Sequence, residues 1–166
     1  MAELKVRQNA LQRFLQFIPS SALGAYVFSK MLHYMDRPIM KLTGGKVSLP
    51  QFVNGIPCVT LTSTGAKSGV ERTIPTNGIP DGENIALVAS NWGQTHHPAW
   101  YHNLRKNPEA TLRFDGHEGR YTATEIEPGD EYDRLWANAV QVYRGYASYK
   151  KRAGNRQIPI LLMKPS

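Results

Sequence analysis

The sequence predicts a small, mostly antiparallel β-barrel with helices on its outside, which is an α+β fold. Two observations lead to this class. About six segments have the composition and alternation of strands, and short turns rather than crossover helices join most of them. Three or four further segments carry apolar side chains at helical spacing. The chain has 166 residues, 41% of them hydrophobic, which suits a single domain with its own core.

The first part of the chain has the pattern of two amphipathic helices, separated by Pro19. Residues 3–18 and 21–35 both place apolar side chains along one face and basic side chains on the others. Such helices can lie on an anionic membrane surface or pack on their own protein. The aromatic residues in both stripes favour packing. We therefore expect residues 1–46 to be a helical segment attached to a barrel domain over residues 47–166.

A β-hairpin is predicted next, with strands over residues 57–63 and 71–77. Apolar residues alternate with threonines in the first strand, which is the period of a half-buried strand. Gly65 and Gly69 lie in the turn and provide the positive φ that a tight hairpin requires. Cys58, the only cysteine, falls in the first strand and is expected to be a core thiol rather than a nucleophile.

The turn of this hairpin has the composition of an anion site. Successive backbone N–H groups in a turn can form a concave donor set, to which Lys67 and Arg72 would add charge. It is not a P-loop, because Leu61 and Ala66 stand where that motif needs glycines and a strand follows instead of a helix. No G-x-G-x-x-G occurs either. Spacing alone favours a polar hairpin with solvated cations over a phosphate site.

The middle of the chain predicts a turn, a buried strand and a short helix. Residues 78–82 have turn composition. Residues 85–90 are apolar without alternation, which is typical of a central strand buried on both faces. Pro98 is expected at the first helical position of a helix that ends at Lys106, before an Asn-Pro pair.

The last third predicts two strands, a helix and a final strand. Residues 110–114 and 120–126 have strand patterns. Residues 128–142 carry the clearest helical stripe of the chain, with acidic residues near its start, and Gly145 interrupts it. Residues 158–163 complete the barrel.

The net charge of +7 favours anionic partners such as a phosphorylated or carboxylated ligand. No dense Lys/Arg tract and no nucleic-acid motif occurs, so we expect no nucleic-acid partner. No secretory signal pattern and no run of about 20 apolar residues is visible. With one cysteine, these features predict a cytoplasmic protein, with contact at the inner face of the cell membrane left open.

Three histidines, His96, His97 and His102, could suggest a metal. No cysteine or carboxylate lies near them in sequence, so no metal site is expected.

Three blocks in fixed order carry a family resemblance. They are Thr64-Gly65-x-Lys67-Ser68-Gly69-x-x-Arg72, Leu87-Val88-Ala89-Ser90-Asn91, and His97-Pro98-Ala99-Trp100-Tyr101-His102-Asn103-Leu104 with Asn107-Pro108. Over roughly residues 55–164 the chain resembles the deazaflavin-dependent nitroreductases, split-barrel oxidoreductases of actinobacteria and their relatives. The third block is the most specific of the three, whereas the Gly-x-Lys-Ser-Gly turn alone would not be specific.

The resemblance implies a split β-barrel that binds coenzyme F-420, an 8-hydroxy-5-deazaflavin with a phosphodiester and a polyglutamate tail. In this family the turn and the arginine after it bind the anionic tail, which reverses the preference that spacing gave. The implied cofactor-binding residues are Gly65, Lys67, Ser68, Gly69 and Arg72 at the tail, and Ser90, Asn91, Pro98, Ala99 and Trp100 beside the ring. FMN, which split barrels also host, is the alternative cofactor.

The chain departs from the family pattern at two positions. Ala66 stands where many members have another basic residue, and Trp92 replaces a residue that is more often small or basic. We expect Trp92 to narrow the substrate side or to stack on the ring.

The resemblance also implies that Tyr143, Tyr146 and Tyr149 line the substrate pocket, which makes them the candidate catalytic residues. They lie three residues apart, so neighbours can touch on a helix. The alternative is that they are core tyrosines. Tyr146 is favoured for function because the Arg144-Gly145 context predicts a non-helical position.

The implied activity is transfer of a hydride from the reduced deazaflavin to a flat electrophilic acceptor, such as a quinone, an activated alkene or a nitro compound. The alternative from another class is a non-catalytic deazaflavin carrier. Whether the protein is a monomer or a homodimer stays open, because a neighbouring chain could complete the ring pocket.

Overall fold

The structure, a computed structural model, describes residues 4, 6 and 55–166. In that part of the chain the strands are β1 (Cys58–Thr64), β2 (Glu71–Asn77), β3 (Ile79–Asp81), β4 (Asn84–Val88), β5 (Glu109–Phe114), β6 (His117–Glu125) and β7 (Ile160–Pro165). The helices are α1 (Ala99–Lys106), α2 (Asp130–Val142) and α3 (Gly145–Arg152), with a short 3-10 turn at Asn91–Gly93. The predicted helices within residues 1–46, and the domain boundary after them, lie outside the described residues.

All described strands pair antiparallel in one sheet, in the order β2-β1-β5-β6-β7-β4-β3, and the sheet curls into a half-barrel. This confirms the predicted antiparallel α+β class. The two strands of the first hairpin pair in register from Cys58↔Asn77 to Thr64↔Glu71. Buried and half-buried residues alternate along β1, as its threonines predicted. Cys58 is half-buried on the face opposite Val59 and belongs to neither core cluster. The prediction of a core thiol was therefore wrong.

The prediction of a turn over residues 78–82 was wrong. Residues Ile79–Asp81 form β3, which pairs with β4 from Ile79↔Ala86 to Asp81↔Asn84. Ile79 is fully buried, and this burial outweighs the turn composition around it. Pro80 fits because β3 is the last strand of the sheet, where a missing N–H costs no ladder hydrogen bond. The actual turn is the two residues after β3, where Gly82 has a φ of +63°.

The described core consists of two clusters, on opposite faces of β4. Ile85 and Leu87 belong to the cluster that includes α1, whereas Ala86 and Val88 belong to the cluster that includes α2 and α3. The prediction of a strand buried on both faces is therefore confirmed. As a consequence, α1 lies on one face of the sheet and the tyrosine-bearing α3 lies on the other.

Two elements in the last third of the chain, α2 and β7, each begin two residues later than predicted. Helix α2 begins at Asp130 rather than at residue 128, because Gly129 has a φ of 154° and cannot be helical. The predicted interruption at Gly145 is confirmed as the break between α2 and α3. Tyr146 lies in the first turn of α3, so its expected non-helical context was wrong. The final strand starts at Ile160 rather than at residue 158.

Candidate functional site

The turn between β1 and β2 is closed by its own backbone. The Gly65 N–H donates to Val70 O at 2.9 Å, and the Gly69 N–H donates to Gly65 O at 2.8 Å. Gly69 has a φ of +67°, as predicted. Gly65 does not have a positive φ; it is required for space, because a Cβ there would lie 2.7 Å from Ser68 Oγ and 2.9 Å from Val70 O.

Side chains from the C-terminal half of α1 and its C-cap residue hydrogen-bond to the backbone of the turn and hold it in place. The Ala66 N–H donates to Asn103 Oδ1 at 2.9 Å, and Asn103 Nδ2 donates to Ser63 Oγ at 3.3 Å. Lys106 Nζ donates to Ala66 O at 2.6 Å, and Asn107 Nδ2 donates to Thr64 O at 3.5 Å. These contacts hold the turn in one conformation without using the groups at its tip.

The tip of the turn offers a donor set that fits a phosphodiester. No described residue accepts a hydrogen bond from the backbone N–H of Lys67 or Ser68. The side chains of Lys67 and Arg72 are exposed, and neither pairs with a carboxylate in the described part of the chain. Side chains alternate along β2, so Glu71 points away from the face that carries Arg72. Two N–H groups and two cations that no described residue pairs with are suited to binding an anionic group.

Asn103→Ala is expected to lower the free energy of unfolding by about 1–3 kcal/mol, because the Ala66 N–H and Ser63 Oγ lose their partner. Asn103 is only 9% exposed, so water cannot replace its side chain fully. The change should also speed hydrogen exchange at the Ala66 amide. Urea unfolding and amide exchange measure the two effects. Asn155→Ala, at an exposed asparagine, is the matched control; equal small effects of both changes would contradict this role.

The loop after β4, residues 89–97, is the second part of the site. Asn91 and Trp92 have φ angles of +47° and +59°, a left-handed conformation that costs about 1–2 kcal/mol for each non-glycine residue. Asn91 Nδ2 donates to His96 O at 3.0 Å, and Arg152 Nη2 donates to Trp92 O at 3.4 Å. Gly93 is packed so tightly that a Cβ would lie 2.9 Å from Tyr149 O. The loop is thus clamped against α3.

Arg156 makes four hydrogen bonds to this loop. Its guanidinium donates to Gln94 O at 2.8 Å, Ser90 O at 2.6 Å and Ala89 O at 3.2 Å, and it contacts His97 Nδ1 at 3.1 Å. Burial lowers the pKa of Arg156, but an arginine stays charged at any physiological pH. Three carbonyls of the loop therefore accept hydrogen bonds from one fixed cation.

The N-terminal end of α1 adjoins this loop. Pro98 has a ψ of 152°, so it caps the helix instead of taking the predicted first helical position. Ala99 is exposed, whereas Trp100 is 9% exposed and packs in the core. Since α1 has eight residues, its two ends, and with them the loop and the turn, lie about 12 Å apart. The helix therefore sets the distance between the turn and the loop.

The three tyrosines come together as a buried cluster, each about 2% exposed. Tyr143 and Tyr149 share a hydrogen bond of 2.8 Å between their hydroxyls, and all three rings meet edge to face at centroid distances of 5.3–6.0 Å. Trp92 of the loop contacts Tyr149 at 6.0 Å between centroids. The tyrosine cluster thus packs against the loop through Trp92 and Tyr149.

Tyr146 differs from its neighbours in its hydroxyl. Asn77 Nδ2 donates to that oxygen at 3.4 Å, but no described residue accepts the hydroxyl hydrogen. Burial raises the pKa of Tyr146 above its ordinary range, so the hydroxyl keeps its proton at neutral pH. A buried donor without a described acceptor is rare in folded proteins, which distinguishes this hydroxyl from those of Tyr143 and Tyr149.

The histidines are near one another but lack the ligands of a metal site. His97 and His102 have ring centroids 6.0 Å apart, and Tyr101, between them, donates its hydroxyl to Glu125 at 2.8 Å. Over residues 55–166 and the two earlier positions, no group of three or more potential ligands could hold a metal ion. In the same residues, no helix has the length and hydropathy to span a membrane.

Sequence reasoning missed the residues that support the site. Asn103 and Asn107 belong to the third motif block, but their contacts with the turn were not foreseen. Lys106 was seen only as a helix end, although it binds the turn backbone. Arg156 had no sequence signal at all, because its partners lie 59 to 67 residues earlier in the chain.

Comparison with known proteins, like the motif blocks, relates this chain to enzymes that depend on the deazaflavin coenzyme F-420. The family model described as F420H(2)-dependent quinone reductase matches residues 36–165. A curated relative, an F420H(2)-dependent quinone reductase of Mycobacterium tuberculosis, is 34% identical over 110 residues, which cover 64% of this chain and 72% of the relative.

Two solved structures are similar to this fold. An F420-H2 dependent reductase, FDR-A, is 36% identical with a TM-score of 0.60, covering 65% of this chain and 94% of that one. A structure described as a domain-swapped dimer is 31% identical with a TM-score of 0.62, covering 82% of this chain and 98% of that one. The chain therefore belongs to the F420H(2)-dependent quinone reductase family.

Proposed function

We propose that this protein transfers a hydride from reduced coenzyme F-420 to a quinone-type acceptor. As a member of its family it is an oxidoreductase, and F-420 is its cofactor. The observation that carries the proposal is the pair of preorganised elements at the two ends of α1, a cationic turn with free N–H groups and a clamped loop. The turn and both ends of the loop fall within the three motif blocks.

The turn would hold the anionic tail. Lys67 and Arg72 supply charge, and the backbone N–H groups of Lys67 and Ser68 supply directed donors. Gly65 and Gly69 let the turn adopt this shape, because a Cβ at Gly65 would meet Val70 O and Gly69 has a positive φ. Asn103 and its neighbours on α1 keep these donors in place before the ligand arrives, which lowers the entropy cost of binding.

The loop and the start of α1 would hold the ring. Ser90 and Asn91 lie at the end of β4, and Pro98, Ala99 and Trp100 form the helix start. Because the Trp100 indole is in the core, this end of α1 offers backbone and the small Ala99 side chain to a flat ligand. When bound, F-420 supplies two-electron hydride chemistry, and the protein supplies position and electrostatics.

The tyrosine cluster would define the acceptor side. Tyr143 and Tyr149 bind each other, which keeps both rings in place. Tyr146 keeps its proton on a hydroxyl that has no described acceptor, so it is suited to donate a hydrogen bond to an acceptor oxygen, while its raised pKa disfavours full transfer of that proton. The apolar rings around it would exclude water from the reacting atoms.

Tyr146→Phe is expected to lower turnover about 10- to 100-fold while leaving F-420 affinity within about twofold, because the change removes one hydrogen-bond donor to the acceptor and no cofactor contact. Steady-state rates and F-420 titration give the two numbers. Tyr132→Phe is the matched control, since the Tyr132 hydroxyl donates to Ile158 O within the core at 2.8 Å. Equal losses of turnover and affinity in Tyr146→Phe would assign it a structural role.

One experiment separates this function from its alternatives. Purified protein is mixed with reduced F-420, with and without a menaquinone analogue, and the absorbance of the deazaflavin is followed. Oxidation that depends on both protein and quinone supports the reductase. Tight binding without oxidation supports a carrier, and a yellow protein that releases FMN on denaturation supports the FMN alternative.

Two finer features are part of the proposal. The small-molecule acceptor is a quinone, and a lipid-soluble quinone would be met at an anionic membrane surface, for which the net charge of +7 is suited. Co-sedimentation of the full chain with anionic but not neutral vesicles would support this contact. Because a similar structure is a domain-swapped dimer, sizing with and without F-420 tests whether this chain also pairs.

A further inference from the structure

We infer that Arg156 is a positioning residue that fixes the loop over residues 89–97 and presents His97 Nε2–H as a hydrogen-bond donor to a carbonyl oxygen of the bound ring or acceptor. This inference deepens the proposed function and rests on it. Arg156 lies outside the three motif blocks and contacts the site from the segment between α3 and β7.

The acceptors of Arg156 are spread over the whole loop. Ala89 O and Ser90 O lie where the chain leaves β4, Gln94 O lies in the middle, and His97 Nδ1 lies just before α1. A guanidinium has five N–H donors in a rigid plane, so one side chain can satisfy all of these groups at once. A lysine at this position would have three donors on a flexible stem and could not match the same geometry.

The loop needs such a clamp because its backbone is strained. Asn91 and Trp92 are consecutive non-glycine residues with positive φ, and such conformations persist only where surrounding contacts over-determine them. Strained backbone of this kind is concentrated at ligand sites. Arg156 binds carbonyls on both sides of the strained pair, which keeps the pair in its conformation without a ligand.

The contact with His97 also decides where the imidazole carries its proton. Arginine can only donate, so His97 Nδ1 must be the acceptor, and the proton of the neutral ring is on Nε2. Burial, with the nearby Arg156 charge, lowers the pKa of His97 below 6.5, which favours this neutral form. No residue that the structure describes accepts a hydrogen bond from Nε2.

The neutral Nε2–H is suited to one class of ligand atom. It can donate to a carbonyl oxygen, and it cannot form an ion pair with a phosphate as a protonated histidine would. The His97 ring is held against the Tyr101 ring at 4.7 Å between centroids, beside the helix start. Quinones and deazaflavin rings both present carbonyl oxygens at their edges, so this donor suits the proposed reaction.

The tautomer is tested on the protein without cofactor, by nitrogen-15 NMR of the His97 ring. We expect the signature of a neutral ring with the proton on Nε2 in the wild type, and a mixture of tautomers in Arg156→Ala. Arg144→Ala, which removes one exposed positive charge from the N-terminus of α3, should leave the tautomer unchanged. An unchanged tautomer in Arg156→Ala would overturn the inference whether or not the protein binds F-420.

The effect on the loop is tested by F-420 titration of the full chain. Arg156→Ala should weaken binding about 10- to 100-fold, since it removes several hydrogen bonds from a charged donor, and Arg156→Lys should be intermediate. Methylguanidinium at millimolar concentration should restore part of the affinity of Arg156→Ala. Equal weakening by Arg144→Ala would indicate a net-charge effect and overturn the inference. Absence of F-420 binding by the wild type would instead reject the proposed function.

The pH profile gives a further readout. Protonation of His97 would remove the acceptor for Arg156, so the contribution of this contact is present above pH 6.5 and is lost as the pH falls through the lower folded-state pKa. The charged and titratable groups that face His97 are Arg156, Arg105, His102, Tyr101 and Glu125. F-420 affinity should therefore fall on acidification in the wild type and less so in His97→Asn; identical profiles would overturn the role of His97.

Discussion

Lys67→Ala combined with Arg72→Ala is expected to weaken F-420 binding about 30- to 1000-fold, because each exposed charge-assisted contact contributes about 1–2 kcal/mol. Both side chains are exposed and free of described anionic partners, so their removal should not change the free energy of unfolding by more than about 0.5 kcal/mol. Turnover at saturating cofactor should change little, since the tail does not react. Titration and steady-state rates measure the two quantities.

The matched control is Arg120→Ala combined with Lys164→Ala, which removes the same net charge from β6 and β7. This control should weaken binding only slightly, and the weakening should disappear at high salt. The Lys67/Arg72 double variant should instead still bind F-420 much more weakly than the wild type at high salt. Its F-420 affinity should also depend less on salt concentration than that of the wild type. If both double variants lose affinity equally, long-range charge attracts the cofactor and the turn is not its binding site.

Gly145→Ala is expected to lower the free energy of unfolding by about 1–3 kcal/mol, as overpacking of a dense core does. A Cβ at this position would overlap the ring of Tyr143, whose hydroxyl is paired with Tyr149. The Tyr143 ring would have to move, and the break between α2 and α3 would open. Since this cluster supports the loop through Trp92, turnover should fall together with stability. Urea unfolding and steady-state rates measure both.

Ala147→Ser, at an exposed position of α3, adds an atom of similar size without meeting the cluster and is the control. It should change stability by less than about 0.5 kcal/mol. Near-wild-type stability of Gly145→Ala would mean that Tyr143 is free to move, which would contradict the rigid tyrosine cluster described above.

The elements whose residues interact locally could be predicted from the sequence. The first hairpin follows from alternation and glycine, the two-sided burial of β4 follows from an apolar run, and both were confirmed. Helix α1 was also confirmed, with its start one residue after Pro98. The missed strand β3 has turn composition, and only its pairing with β4 and the burial of Ile79 make it a strand. Local propensity cannot report a partner that is distant in space or burial that a fold creates.

The residues of the candidate site also fall into a group that the sequence identifies and a group that only the tertiary structure reveals. The sequence by itself determined the family blocks, the cationic turn and the cluster of tyrosines at spacing of three. Only the tertiary structure decided that Asn103 holds the turn from 37 residues away and that Arg156 holds the loop from 66 residues away. The physical reason is that a hydrogen bond is directional and short, so its partner is fixed by how the sheet brings α1 and the segment before β7 together, and no one-dimensional spacing encodes that approach.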